Sequence, residues 1–425
     1  MKAQRPTLLT IITYAFGQYG WSLASFGVGN LLIFFYMPPD DGTVERFSPY
    51  FYQGAILGVL TIVGLIGSAG RVLDAFTDPF IASFSDKTKI TPFGKRKKLM
   101  AAAALPFALS AFLMFYPIID GSSSTNVIWL VLISIIYYVS FTAYLIPYNA
   151  LIAELGHHPD DRMKISTVIS FAWILGFATG FSVYFALGGL VENGATYVDA
   201  FQQIVMIFSI IAFACMLVPV LFLNENKYAR QTDTAEGTTN IKTFFKLMGQ
   251  NKNLRIFVLS DLTYWLAATF IQLGIGYYIT LLMKKEEGEA TLFFAIAMLT
   301  SLLMYIPINI MVKKMGKKRV GMIAFSFYIV VFAVTAFMDF IPVSKDIIFY
   351  ILAVLAAFPM ASFGIIPNAI IADLVYQHEA KTGQNLAGIY YAIRTFMMKI
   401  GITFALVIFP SLLLLGKSLD NPFGV

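Results

Sequence analysis

The feature that most constrains this chain is its series of long apolar stretches, near residues 8–36, 52–84, 98–118, 126–153, 163–190, 199–223, 255–283, 290–312, 319–341, 347–373 and 385–416. Each is long enough to cross a hydrocarbon layer of ~30 Å as a helix, which takes about 20 residues. Inside such a layer every backbone N–H and C=O must find a partner within the protein, and the helix is the local way to do that. Composition agrees: 58% of residues are hydrophobic and 13% charged, whereas a soluble domain carries about 25% charged residues. The expected fold class is an all-α polytopic membrane protein with eleven visible spans.

A formal net charge of +6 invites a nucleic-acid reading, but its distribution points to a lipid bilayer instead. Lys and Arg gather in one alternating set of inter-span segments: Lys2 and Arg5, Lys87–Lys98, Arg162 and Lys164, Lys227–Arg255, Lys313–Arg319, and Lys381. The other set holds only Arg46, Lys284, Lys285, Lys345 and Lys417. Basic residues are retained on the cytoplasmic side, so the N-terminus is expected in the cytoplasm, in a plasma membrane of the bacterial inner-membrane type. No nucleic-acid partner is expected, and the chain is read as a monomer. The first span is too long, and lacks the small-residue cleavage site, for a removable signal peptide.

Several chemistries are disfavoured at this stage. Cys215 is the single cysteine and lies in an apolar run, which rules out a thiolate cluster. His157, His158 and His378 sit in short polar segments and read as solvated side chains rather than metal ligands. No GxxxxGK[ST] phosphate loop and no GxSxG elbow occurs, which argues against an ATP-driven pump or a serine hydrolase. Neither an enzyme nor a resident cofactor is expected.

The chain divides at a polar interval. Residues 224–254 read as a cytoplasmic linker ending in a short amphipathic helix, between an N-terminal helical half (1–223) and a C-terminal half (255–425). The halves look duplicated. Ile146-Pro147-Tyr148-Asn149-Ala150-Leu151 in the fourth span recurs as Ile366-Pro367-Asn368-Ala369-Ile370 in the tenth. The basic run Gly94-Lys95-Arg96-Lys97-Lys98 recurs as Gly316-Lys317-Lys318-Arg319. Both landmarks lie six spans apart, which predicts a repeated six-helix unit: the major facilitator architecture, with substrate near the midplane. By that logic either a twelfth helix is missing after span eleven or the tail ends outside, and truncation is the expectation.

Within the second span stand Arg71, Asp74 and Asp78, on one helical face at i, i+3 and i+7 with Thr77 beside them. A charge at membrane depth costs at least about 2.5 kcal/mol, so these residues mark a functional site by default. At ~1.5 Å rise per residue, Asp78 and Asp74 lie ~12 and ~18 Å from the inner end of the helix, bracketing the midplane. Two carboxylates so close need compensation, from Arg71, a proton, a metal cation or a basic residue elsewhere. A fixed Arg71–Asp74 pair is the plainest alternative, although it leaves one carboxylate over. In the eleventh span Arg394 and Lys399 are about 140° apart around the helix and face different directions.

At this point the pattern resembles a known family. Arg71-x-x-Asp74-Ala-x-x-Asp78-Pro79, Ile146-Pro147-Tyr148-Asn149-Ala150-Leu151, and Ala372-Asp373 followed by Tyr376, Glu379, Gly383, Tyr390 and Lys399 are similar to the glycoside–pentoside–hexuronide:cation symporters, the melibiose permease family. The resemblance implies that Asp74 and Asp78 take Na⁺ or H⁺ as coupling ion, with Thr77 and Thr142 completing the set. It further implies that Lys399 links cation to substrate, with Arg71 in support. It departs where that family grips its sugar: Ser22, Leu145 and about Ser170 stand in place of charged residues. The substrate contacts are therefore sought among Tyr19, Trp21, Tyr144, Tyr148, Asn149, Trp173, Asp261, Trp265 and Arg394, since aromatic faces interleaved with polar groups suit a sugar. A cavity arginine such as Arg394 suggests an anionic group on the substrate, and its pairing with Asp261 or with a helix C-terminus is the rival reading. Glu154, Arg162, Asp373 and Glu379 lie at cytoplasmic helix ends and are read as gate ion pairs with the basic loop. The function expected is cation-coupled symport of a sugar or sugar-derived solute by alternating access. The alternatives are a sodium-dependent lysolipid transporter and, from another class, a non-transporting membrane receptor.

Overall fold

Apart from a single backbone bridge between Ile56 and Leu60, every regular element among the described residues is helical. The computed structural model describes residues 4–38, 49–54, 56, 60–88, 91–156, 159–228, 247–382 and 387–414. In order, α1 (Leu8–Phe26) passes through a π turn (Gly27–Leu31) into α2 (Leu32–Tyr36), followed by α3 (Ile62–Lys87), α4 (Lys97–Leu113) and α5 (Ser124–Leu155). Next come α6 (Pro159–Phe181), α7 (Val183–Glu192), α8 (Tyr197–Phe222) and the short α9 (Glu225–Tyr228). The remainder is α10 (Lys252–Tyr277) with its own π turn (Tyr278–Leu282), α11 (Glu289–Met315), α12 (Lys317–Phe337), α13 (Lys345–Thr382) and α14 (Ala387–Leu412). Eight helices among the described residues are long and apolar enough to cross a membrane, by length and composition. Large apolar side chains such as Phe80, Leu303 and Ile306 stand more than 70% exposed on the helix surfaces, as a lipid-facing surface requires.

Helix starts follow local chemistry. Thr7, Thr61, Ser123, Thr196 and Asn251 each turn a side-chain oxygen onto a first-turn N–H of the helix they precede, satisfying a donor that has no partner within the helix. Prolines inside α4, α5, α8, α11, α13 and α14 are tolerated because neighbouring groups satisfy the freed carbonyls. In α4 the Ser110 hydroxyl also donates one turn back along the helix, to the Pro106 carbonyl at 2.6 Å.

Three expected spans are redrawn. The second begins at Ile62 instead of near residue 52. Tyr50 and Phe51 are buried as a loop, stacked on Phe35 and Tyr36, with Gln53 Nε2 donating to the Tyr36 carbonyl at 2.7 Å. Apolarity there serves packing rather than helix. The fifth span is interrupted at Ser182, between α6 and α7, and the tenth lengthens to the 38 residues of α13.

The chain forms two compact units. One takes in α1 to α9 and the end of α14 from Leu406; the other covers the helices up to Ala405. Within the first unit the end of α14 packs on α3 at a glycine: a Cβ at Gly64 would lie 2.9 Å from the Leu406 carbonyl oxygen and 3.2 Å from the Pro410 ring. Bare backbone at Gly64 lets the two helices meet closely. The duplication extends to detail absent from the sequence repeat, since the first long helix of each unit ends in a five-residue π turn. Of the expected linker, α9 and Leu247–Gln250 are described, and the amphipathic segment 241–246 lies outside the described residues.

In the first unit the start of α4 is held by Glu225. Its carboxylate accepts from the backbone N–H of Lys95 at 2.8 Å, Arg96 at 2.9 Å and Lys97 at 3.1 Å, an anion at a helix N-terminus. Gly94 makes room, with φ +113° and a position where a Cβ would fall 2.3 Å from Glu225 Oε2.

Candidate cation and substrate sites

Helical periodicity puts Gly70, Arg71, Asp74 and Asp78 on connected positions of α3, and packing against α5 decides what they meet. Asp74 is fully buried. Its Oδ1 accepts the Thr142 hydroxyl from α5 at 2.5 Å, and its Oδ2 lies 3.9 Å from Arg71 Nη1. Arg71 in turn places its guanidinium 5.6 Å from the Tyr138 ring centroid, a cation–π contact that steadies a charge away from water. The helices come this close because residue 70 is glycine: a Cβ there would lie 1.9 Å from the Tyr138 ring. The π turn after α1 passes the same group, with a Cβ at Gly29 falling 3.8 Å from Arg71 Nη2. Thr77 donates to the Asp74 backbone carbonyl at 3.2 Å, and Asp78 is half-buried one turn beyond. Of the expected set, the structure thus brings Asp74, Thr142 and Arg71 together and sets Thr77 and Asp78 on the next turn of the same helix.

The aromatic candidates separate by burial. Tyr144 and Tyr148 are fully buried with their hydroxyls on the Met216 and Tyr14 carbonyls at 2.9 Å. Tyr148 also stacks on Tyr14 with centroids 4.3 Å apart. They lie in the core, joining α5 to α8 and α1. Their hydroxyls serve backbone carbonyls, and their rings are enclosed. Tyr19 hydrogen-bonds Thr179 at 3.0 Å, Trp173 packs on Phe177 at 4.3 Å, Trp21 packs edge-on against Phe141, and Asn149 is exposed.

In the second unit Arg394 of α14 donates through Nε to Asp261 Oδ2 of α10 at 3.1 Å and through Nη1 to Asn368 Oδ1 of α13 at 2.6 Å. The rival reading of Arg394, pairing with Asp261, is the arrangement that forms. The argument for an anionic substrate from Arg394 alone thereby loses its premise. Asn368 is the counterpart of Asn149 in the repeated motif, so the duplication was the signal that would have singled it out.

The expected gate residues form one pair in each unit. Arg96 donates through Nε and Nη2 to Glu154 Oε1 at 2.9 and 2.8 Å, and through Nη1 to Ser85 at 2.8 Å. Lys317 reaches Asp373 at 2.6 Å. Each joins the basic loop to the acid that ends the repeated motif, yet the first pair is largely buried and Asp373 is 55% exposed. Glu154 lies past the Ser124–Ile152 span, and burial pushes its carboxyl above the usual 4.5 despite the opposing pull of Arg96. The side chains of Arg162 and Glu379 lie outside the described residues. Lys399 is half-buried on α14 in the second unit.

This arrangement, buried acids and bases on repeated apolar helices, belongs to transport rather than to bond chemistry. The chain matches the family model described as MFS/sugar transport protein over residues 14–416. It belongs to that family. The family is that of the glycoside–pentoside–hexuronide symporters, and the protein is accordingly a multi-pass membrane transport protein and not an enzyme. Among its relatives, the isoprimeverose transporter of Lactiplantibacillus pentosus is 25% identical over 65% of this chain; the match spans 56% of that transporter's length. The inner membrane symporter YicJ of Escherichia coli is 24% identical over 85% of this chain and 76% of its own. A sodium-dependent lysophosphatidylcholine symporter of Xenopus tropicalis matches only 32% of this chain and 28% of its own, at 25% identity. The inward-open xylose transporter XylE of E. coli has the same fold at 15% identity, with a TM-score of 0.61 over 95% of this chain and 89% of that one.

Proposed function

We propose that this MFS/sugar transport family member couples entry of Na⁺ or H⁺ to uptake of a sugar or sugar-derived solute, with the cation taken at Asp74 and Asp78. The observation that carries the reading is the buried Asp74 carboxylate, held between the Thr142 hydroxyl and the Arg71 guanidinium. A buried carboxylate at membrane depth needs its lone pairs answered, and the same carboxylate and hydroxyl oxygens are what a hard cation takes as ligands, while a proton needs only the carboxylate. Asp78 and Thr77 lie on the next turn and extend the oxygen set. The part of Lys399 as the basic competitor for these carboxylates rests on the sequence resemblance. Reciprocity then follows: a solute that binds better with the cation present must tighten the cation by the same factor.

The test is uptake into proteoliposomes under an imposed Na⁺ or proton gradient, with labelled methyl glycosides, glucuronate and lysophosphatidylcholine as probes. Asp78→Asn is expected to abolish gradient-driven accumulation while retaining some exchange. Thr142→Val should raise the cation concentration for half-maximal uptake about tenfold, the equivalent of about 1.4 kcal/mol for one hydrogen bond to a charged group. Full concentrative uptake by Asp78→Asn would refute the assignment. Accumulation of lysophosphatidylcholine alone would move the protein to the lysolipid class.

A further inference from the structure

We infer that Asp261 sets the charge selectivity of the solute site by masking Arg394, so that the site favours uncharged sugars over their uronates. This rests on the sugar-symport reading and narrows it. In the second unit Arg394 is held on both sides, by Asp261 Oδ2 at 3.1 Å and Asn368 Oδ1 at 2.6 Å. The Asp261 side chain is fully buried while that of Arg394 is 16% exposed. A guanidinium so placed is charge-matched before any ligand arrives, and an anion approaching it also meets the buried carboxylate.

Two polar atoms beside the pair are left over among the described residues. Asp261 Oδ1 and Trp265 Nε1 are buried and hydrogen-bond to nothing within the protein. They sit one turn apart on α10, at i and i+4, and so share a helix face. One can only accept and the other can only donate. A hydroxyl does both, so adjacent hydroxyls of a sugar satisfy the pair, while a uronate carboxylate drawn to this place by Arg394 offers the indole an acceptor but gives Asp261 Oδ1 no donor. Trp265 is also fixed in place: it lies edge-on to Tyr264 at 5.3 Å, which stacks on Phe363 at 4.2 Å. Trp265 is thereby partly buried against the core that Tyr264 and Phe363 share.

The experiment is equilibrium binding to the purified full chain in detergent, with no gradient imposed, using methyl glucoside and methyl galactoside against glucuronate and galacturonate. The wild type is expected to bind the neutral glycosides at least tenfold more tightly than their uronates. Asp261→Asn unmasks Arg394 and should reverse that order, gaining at least tenfold for uronates while weakening the neutral partners. The double variant Asp261→Asn/Arg394→Gln restores charge balance, which keeps the test open if the single variant does not fold, and should lose the uronate gain. Trp265→Phe should weaken the neutral glycosides several-fold without changing their advantage. Tighter binding of uronates by the wild type, or an Asp261→Asn variant with an unchanged ratio, overturns the inference and leaves sugar symport standing. Absence of binding by every sugar overturns both.

Discussion

The Arg96–Glu154 pair permits a stability prediction with both sign and slope. In Arg96→Gln, Glu154 keeps its burial and loses its counter-charge. It escapes by taking up a proton. For a carboxyl of ordinary pKa 4.5 that uptake at pH 7 costs about 3.4 kcal/mol, at about 1.4 kcal/mol per pH unit. Burial already raises Glu154 in the wild type, so part of this cost is present there, and the variant should lose between about 1.5 and 3 kcal/mol at pH 7. The pH dependence has a definite direction. A carboxyl whose folded pKa is raised contributes stability that is fully present below 4.5 and lost as pH rises through the folded value. In the variant that loss continues to higher pH, so its deficit should grow by up to about 1.4 kcal/mol per pH unit and vanish in acid. The assay is thermal or SDS-induced unfolding of the purified protein in mixed micelles from pH 5 to 8, with Arg96→Gln, Glu154→Gln and the double variant. Glu154→Gln alone should cost less than Arg96→Gln at pH 7, and the double variant should recover most of the deficit. A deficit independent of pH, or single effects that simply add, would show that the pair is not electrostatically coupled in the folded state.

The second unit supplies the contrast. Lys317→Gln breaks a 2.6 Å pair whose acid is 55% exposed, so the same unfolding assay should show a loss below about 1 kcal/mol that shrinks with added salt. At the start of α4, Gly94→Ala must hold φ near +113° and place a Cβ 2.3 Å from Glu225 Oε2. The expected loss is about 1–3 kcal/mol, read as a lowered unfolding temperature, and Glu225→Ala in the same background should relieve the steric part of it.

The apolar spans, the basic loops and the duplicated motifs were legible in the sequence because lipid imposes its demands locally. A span must be long and apolar whatever its neighbours are, and a carboxylate inside one stands out on composition alone. Thr142 entered the same set as Asp74 and Asp78 only through the family resemblance, since nothing local to its own span points to a cation. Other features are properties of two helices at once. Nothing in the sequence near Gly70 announces that α3 approaches the Tyr138 ring, or that Gly64 lies against the end of α14. Tyr144 and Tyr148 looked like sugar contacts because an amphipathic ring serves equally in a cavity and in a core. Only packing turned their hydroxyls to the Met216 and Tyr14 carbonyls. Arg394 is the sharpest case: its type suggested an anion, while its meaning depends on Asp261, 133 residues away in sequence. Chain composition therefore determined that charges stand within the apolar helices, and tertiary structure decided which of them are already answered, because a charge acts through its nearest partner and not through its neighbours in sequence.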